Sequence, residues 1–172
     1  MTRIIDLPAD EARTLLLNAK NYFRLDFPPY LSFQPVLDAV GAVLGENRYT
    51  SVMHSEVKPH SLPDVNYQFL TNKDGRFAWR PYEMIHPVIY VSLVNALCTE
   101  ENWSAFTSRF KEMQVGVVEC CSQPVCPEET QTIDGAQILN WWRRYEQRSI
   151  ELSLDYSHIL QTDVTDCYGS LY

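Results

Sequence analysis

Apolar and polar positions follow two periods along this chain, one near 3.6 and one of 2, and the changes of period mark out its elements. Asp6-Leu-Pro-Ala-Asp-Glu11 is a helix start, with Pro8 near the first helical position and acid in the first turn. Leu7, Leu15, Leu16, Ala19, Tyr22 and Phe23 supply its apolar stripe, and Phe27-Pro-Pro-Tyr30 ends it. Ser32 caps a second helix with Phe33, Val36, Leu37, Val40 and Leu44 on one face, and Gly45 closes it. Arg48 to Pro63 reads as an irregular or partly extended connection. The period then drops to 2. Val65-Asn-Tyr-Gln-Phe-Leu-Thr71 alternates like a strand, Asn72-Lys-Asp-Gly75 carries an Asp-Gly turn signal, and Arg76 to Arg80 returns as a second strand before Pro81. Along the return strand Arg76, Ala78 and Arg80 share one face, Phe77 and Trp79 the other.

His86-Pro87 opens a helix through Cys98 that is apolar on nearly all sides and is therefore predicted to be buried. Trp103, Phe106, Phe110 and Met113 recur at helical spacing and predict another core face. Val115 to Val118 has the pattern of a short strand, and Cys120 to Thr132, with two prolines and an acidic pair, that of a loop. Asp134 caps a helix over Ala136 to Leu152, with Ile138, Leu139, Trp142 and Tyr145 inward and Arg143, Arg144 and Arg148 off that stripe. From His158 to Val164 the residues alternate again, so a strand is predicted with Leu160, Thr162 and Val164 on one face and Ile159, Gln161 and Asp163 on the other. Asp163 then stands at the strand's end. Thr165 and Asp166 are good helix N-caps, and a helix start over Cys167 to Tyr172 would set the amides of 166 to 168 beside the Asp163 carboxylate.

Composition narrows this picture. With 172 residues, 45% of them hydrophobic, the chain has enough apolar material for one packed core, and no tract or repeat splits it into independent domains. The longest apolar run, Pro87 to Cys98, is too short to span a bilayer, and the N-terminus lacks the apolar core of a signal peptide, so the expected compartment is the cytoplasm, with no membrane partner. Five cysteines without paired Cys-x-x-Cys spacing argue for reduced thiols rather than a zinc site. A net charge of −8 disfavours gripping a long duplex by charge alone, but Lys58, Lys73, Arg76 and Arg80 form a local basic group suited to a few phosphates.

Two stretches carry candidate chemistry. Asp163-Val-Thr-Asp-Cys-Tyr168, within Leu160 to Tyr172, resembles the first catalytic motif of reverse transcriptases, especially the bacterial antiphage-defence and abortive-infection groups; Gly169 stands where that family often has Pro. Lys73-Asp-Gly-Arg-Phe-Ala-Trp-Arg-Pro81 resembles the fingers hairpin of the same family, and Trp79 to Asn95 and Tyr22 to Phe33 look like its flanking segments. The resemblance implies an α+β fold: a mostly helical fingers region over 1–152 containing the hairpin 65–80, then over 153–172 the start of a polymerase palm, an incomplete fold whose neighbouring strands are expected after Tyr172.

The implied activity is RNA-directed DNA polymerisation, in which a primer 3′-hydroxyl attacks a deoxynucleoside triphosphate with the help of two Mg²⁺ ions. Asp163 is then the catalytic metal ligand and Val164 lends a backbone carbonyl. Arg80 matches the triphosphate-contacting arginine, Lys73 the turn lysine, Asp166 and Cys167 offer amides to the triphosphate, and Tyr168 is the gate against a ribose 2′-hydroxyl. The implied partners are an RNA template and a DNA primer. Reverse transcriptases bring further carboxylates on an aromatic-x-Asp-Asp motif, which does not occur in these 172 residues. The chain is therefore expected to be a fragment whose remainder follows Tyr172, inactive alone. Two other readings stay open: a non-catalytic nucleic-acid or protein binding module built on the fingers, and another palm-fold nucleotidyltransferase such as a cyclase, which would not carry the Lys73 to Pro81 hairpin.

Overall fold

The structure is a computed structural model and describes residues 2–23, 27–28, 30–52, 58, 62–72, 76, 79–114, 116, 119–126 and 133–163, with 133–136 described by backbone alone. It is α+β and mostly helical. The chain divides into two compact units, Ile5–Val115 and a second made of Met1–Ile4 with Gly116–Tyr172.

In the first unit, α1 (Ala9–Leu16) and α2 (Ala19–Tyr22) replace the single helix expected after Asp6. Asn18 makes the break: its side chain accepts from Lys20 N at 3.0 Å, and the Gln34 side chain accepts from Ala19 N at 2.8 Å, so the second helix starts afresh with its first amides satisfied. α3 (Gln34–Leu44) matches its prediction, with Ser32 Oγ accepting from Gln34 N at 3.2 Å and Gly45 closing the helix at φ 58°, a left-handed conformation natural to glycine. Val36 alone of the predicted stripe is exposed. α4 (Tyr49–Val52) puts one helical turn into the connection expected to be irregular.

α5 (Pro87–Leu97) is the axis of this unit's core. His86 caps it, Nδ1 accepting from Val88 N at 3.3 Å, and Pro87 fills a first-turn position where no amide is needed. Tyr90, Val91 and Val94 are buried with Tyr22, Leu37 and Leu44 in one cluster, as predicted for this helix, whereas Leu93 is exposed. Each fully buried valine stabilises by about 1.5 to 3 kcal/mol relative to exposure. The polar atoms of this core are paired: the Tyr22 hydroxyl donates to the Ile85 carbonyl and that of Tyr90 to Leu16 O at 2.6 Å. Asn95 donates to Gly45 O (3.0 Å) and Asn47 O (2.8 Å) and accepts from Arg13 Nε (2.9 Å), which ties α1, α5 and the end of α3 together.

α6 (Glu100–Met113) corrects the expected core face. Trp103 and Thr107 are buried, whereas Phe106 and Met113 are exposed. The Trp103 indole N–H donates to Leu7 O at 2.8 Å, which turns the helix so that the 103/107/110 row faces inward and Phe106 lies on its flank, against the rings of Trp103 and Phe110.

Among the described residues the sheet is an antiparallel hairpin of β1 (Tyr67–Asn72) and β2 (Trp79–Met84). The hairpin was expected over 65–80 with its second strand stopping before Pro81; instead β2 starts at Trp79 and runs through Pro81, paired with Leu70, to Met84. In a two-stranded sheet every strand is an edge, so the missing proline N–H costs no ladder bond when that side faces outward. The Asp-Gly turn lies outside the described residues.

In the second unit, Thr2–Ile4 run beside Pro124–Cys126, with an isolated bridge between Arg3 and Val125 and bonds from Ile4 N to Pro124 O (2.9 Å) and from Cys126 N to Thr2 O (2.7 Å). The start of the expected loop at Cys120 is therefore fixed, and Gln123 and Val125 are buried. The strand predicted over Val115 to Val118 lies outside the described residues, apart from Gly116. α7 (Ile133–Trp141), a π-helical segment (Trp142–Gln147) and α8 (Arg148–Asp155) form the predicted long helix. Its inner side is only in part the one expected. Leu139 is half-buried as expected, but Ile138, Trp142 and Tyr145 are exposed, and Gln137, Asn140, Arg144 and Gln147 are half-buried as well, with Arg144 placing two donors on Glu119 Oε1 (Nε 3.1 Å, Nη2 2.7 Å). The strand predicted from His158 to Val164 is also corrected: His158 to Asp163 are exposed and irregular. A strand needs a neighbour to complete its ladder, and among the described residues no strand other than the hairpin's exists to pair with it.

Candidate functional site

The alternation of β1 and β2, combined with their register, assigns every hairpin side chain to a face. Tyr67 pairs with Met84, Phe69 with Tyr82 and Thr71 with Arg80, so these six share one face, with Arg80 nearest the connecting residues 73–78. Gln68, Leu70, Asn72, Trp79, Pro81 and Glu83 occupy the other. Arg80 and Trp79 are thus on opposite faces, as expected from the sequence.

The Arg80 face is anchored at its inner end by aromatic packing. The Phe69 ring lies 5.4 Å from Phe23, 6.1 Å from Phe27 and 4.6 Å from Tyr67, centroid to centroid, and Phe27 lies 5.5 Å from Phe33. Offset and edge-on aromatic contacts of this kind are worth about 0.5 to 1.5 kcal/mol each beyond their buried area. At the outer end the Thr71 hydroxyl donates to Arg80 O at 3.1 Å, holding the arginine's backbone while its side chain stays exposed. The result is an arginine presented on a braced strand with the exposed Tyr82 ring two residues along the same face. A guanidinium there can take two oxygens of a phosphate in parallel bonds, and a neighbouring phenol ring can pack on a base or sugar.

Sequence reasoning missed Tyr67, Phe69 and Tyr82 as members of this face. The signal was present in the continued alternation Arg80-Pro-Tyr-Glu-Met84, masked by reading Pro81 as a stop. Of the other expected site residues, Lys73, Val164, Asp166, Cys167 and Tyr168 lie outside the described residues. Asp163 is exposed at the end of an irregular segment of the second unit, and Arg80 belongs to the first.

For the Mg²⁺ ions implied by the resemblance, one carboxylate is in place, and among the described residues no group of three metal-ligating side chains comes together. Asp163 alone does not make a two-metal site, which needs several oxygens converging on each ion. Among the described residues no helix is long and apolar enough to cross a membrane.

No protein-family model matches this chain, and no curated protein is similar to it at the threshold of significance.

Proposed function

We propose that the chain is the fingers region of an RNA-directed DNA polymerase together with its first palm carboxylate, acting in antiphage defence. The observation that carries the reading is Arg80, exposed on a braced antiparallel hairpin beside Tyr82, where the sequence motif Lys73 to Pro81 resembles the fingers hairpin. In this reading Arg80 grips the triphosphate of an incoming deoxynucleotide, with Lys73 from the connecting residues. Asp163 and the Val164 carbonyl hold metal, which when bound would stabilise the attacking and leaving oxygens. Asp166 and Cys167 present amides to the triphosphate, and Tyr168 screens the sugar. RNA template and DNA primer are the remaining partners.

The test is equilibrium binding of a deoxynucleoside triphosphate to the full chain in the presence of a primed RNA template. Arg80→Ala is expected to weaken nucleotide binding by about 10- to 100-fold, the scale of losing a charge-assisted two-pronged contact. Equal affinity in the two proteins removes Arg80 from the phosphate site.

A second reading, a binding module without chemistry, is favoured by the opposite hairpin face, where Leu70 and Trp79 are each 63% exposed beside Pro81. Apolar side chains gathered on one exposed face mark contact surfaces. Retention of primer–template affinity in Asp163→Asn together with loss in Trp79→Ala would favour it over the polymerase.

A further inference from the structure

The outward side of the long helix in the second unit carries a pattern that packing within the unit does not use. Ile138, Trp142, Tyr145, Ser149, Leu152 and Tyr156 follow at steps of four, three, four, three and four residues, the spacing that lines up one seam of a paired helix. All six are exposed, so their exposure as well as their spacing sets them away from the half-buried Asn140 and Arg144. Trp141 widens the surface by stacking on Tyr145, rings 5.2 Å apart and 19° from parallel. Ser149 fits an apolar seam because its hydroxyl already donates to Tyr145 O at 2.6 Å.

The area involved is more than a helix face usually leaves in water. A buried aromatic side chain covers about 150 to 250 Å², and Trp142, Tyr145 and Tyr156 are 44%, 46% and 65% exposed. Ile138 and Leu152 add to the seam, and the exposed Trp141, Ile150 and Leu154 flank it. The open apolar surface is then on the order of 600 Å², at the top of the range for the largest patch on a monomer. Two such faces together reach about 1,200 Å², the lower limit of a specific protein–protein interface.

The order of side chains fits a second copy of the same face. The seam is symmetric about Gln147, its six positions standing nine, five and two residues to either side. Two such helices running in opposite directions about a two-fold axis at Gln147 bring Ile138 to the partner's Tyr156, Trp142 to the partner's Leu152 and Tyr145 to the partner's Ser149, each contact occurring twice. Every pair sets a large side chain against a smaller one, which fills a seam without voids or overlap. Parallel helices would instead press Trp142 on Trp142 and Tyr145 on Tyr145 and leave a gap between two copies of Ser149. At the edge of the seam Arg148 is already neutralised within its own helix, Nη1 lying 2.8 Å from Glu151 Oε2. We infer that this face is a homodimer interface, in which α7, the π-helical segment and α8 pair antiparallel with the same helix of a second copy. It uses none of the hairpin's residues and does not depend on Arg80 or on polymerase chemistry.

Sedimentation equilibrium of the full chain tests it. A dimer with a dissociation constant in the micromolar range is expected, as an interface at the lower size limit implies. Trp142→Glu and Leu152→Glu each set a charge into the seam, and each is expected to weaken dimerisation by about 30-fold or more. Neither is expected to change the circular dichroism spectrum, because both side chains already meet solvent in the single chain. The pairing itself is read by exchanging two residues. Ser149→Tyr crowds the partner's Tyr145 and Tyr145→Ser leaves a gap, so each alone is expected to weaken the dimer by about tenfold, whereas the double variant Tyr145→Ser/Ser149→Tyr is expected to return to within about threefold of wild type. A double variant as weak as the two losses combined, wild-type dimerisation in Trp142→Glu, or the mass of a single chain at up to about 100 µM overturns the inference; the last result leaves the face to a partner of another kind or to other residues of this chain. Arg80→Ala serves as the control, since a dimer that persists there while triphosphate affinity falls separates this interface from the hairpin face.

Discussion

Tyr90 shows how a single residue sets the limits of this core. Burial, with Tyr22 and Cys98 beside it, pushes its hydroxyl from 10.0 up to about 12. The unfolded chain releases that proton near pH 10 while the folded one holds it, so the unfolded state binds fewer protons between about 10 and 12, and stability falls with rising pH across that window. Below pH 10 the contribution is complete. Two units of pKa correspond to about 2 to 3 kcal/mol at most. In urea titrations Tyr90→Phe is expected to cost about 1 kcal/mol at pH 7, from the lost bond to Leu16 O, and to flatten the decline above pH 10. An alkaline decline that survives in Tyr90→Phe assigns it to another group. None of this was legible in the sequence, where Tyr90 is one of several apolar positions in an eleven-residue helix; the carbonyl it meets lies 74 residues away.

At the scale of elements, local chemistry was read well and orientation less so. α3 and α5 follow from their caps, Ser32, Gly45, His86 and Pro87, because a cap acts within three residues of itself. The hairpin followed from alternation. What went astray depended on distant partners: Asn18 breaks a helix with help from Gln34, Trp103 turns α6 by reaching Leu7, and Arg144 turns the long helix by reaching Glu119. The strand predicted from His158 to Val164 failed for the same reason, since a strand is defined by a neighbour that its own residues do not specify. Of the candidate site, Arg80 and its face were legible, while Tyr82 was not, because Pro81 hid the continuing alternation. Asn95, 4% exposed and bonded to Gly45, Asn47 and Arg13, ties three elements together. Asn95→Ala leaves two carbonyls and the Arg13 Nε without this partner and is expected to destabilise by about 2 to 4 kcal/mol, seen as a lower urea midpoint with unchanged slope. Asn95→Asp is expected to recover little, since a carboxylate keeps the acceptor for Arg13 but donates to neither carbonyl. A loss under 1 kcal/mol in Asn95→Ala would show that Arg13, which also donates to Gly45 O at 2.8 Å, suffices alone.

For the whole molecule, the proposed chemistry is limited by the number of carboxylates. Under the proposed function Asp163 lacks the further carboxylates a two-metal site needs, so the 172-residue chain is expected to bind nucleotide and primer–template without extending the primer. A primer-extension assay checks this; extension that disappears in Asp163→Asn would contradict it and would mean that the metal site is completed from residues not assigned to it here.

The pairing of Thr2–Ile4 with Pro124–Cys126 also fixes an order of events at the ribosome. Thr2–Ile4 must wait for a partner made some 120 residues later, a delay on the order of ten seconds at ordinary elongation rates. Ile5–Val115, contiguous in sequence, can close its own core around α5 during that delay. Nascent chains arrested once Val115 has emerged should accordingly resist protease across Ile5–Val115 while Thr2–Ile4 remain open to it, and only longer chains should protect both. A bulky tag fused ahead of Thr2 would then burden the last step of folding and leave the first untouched.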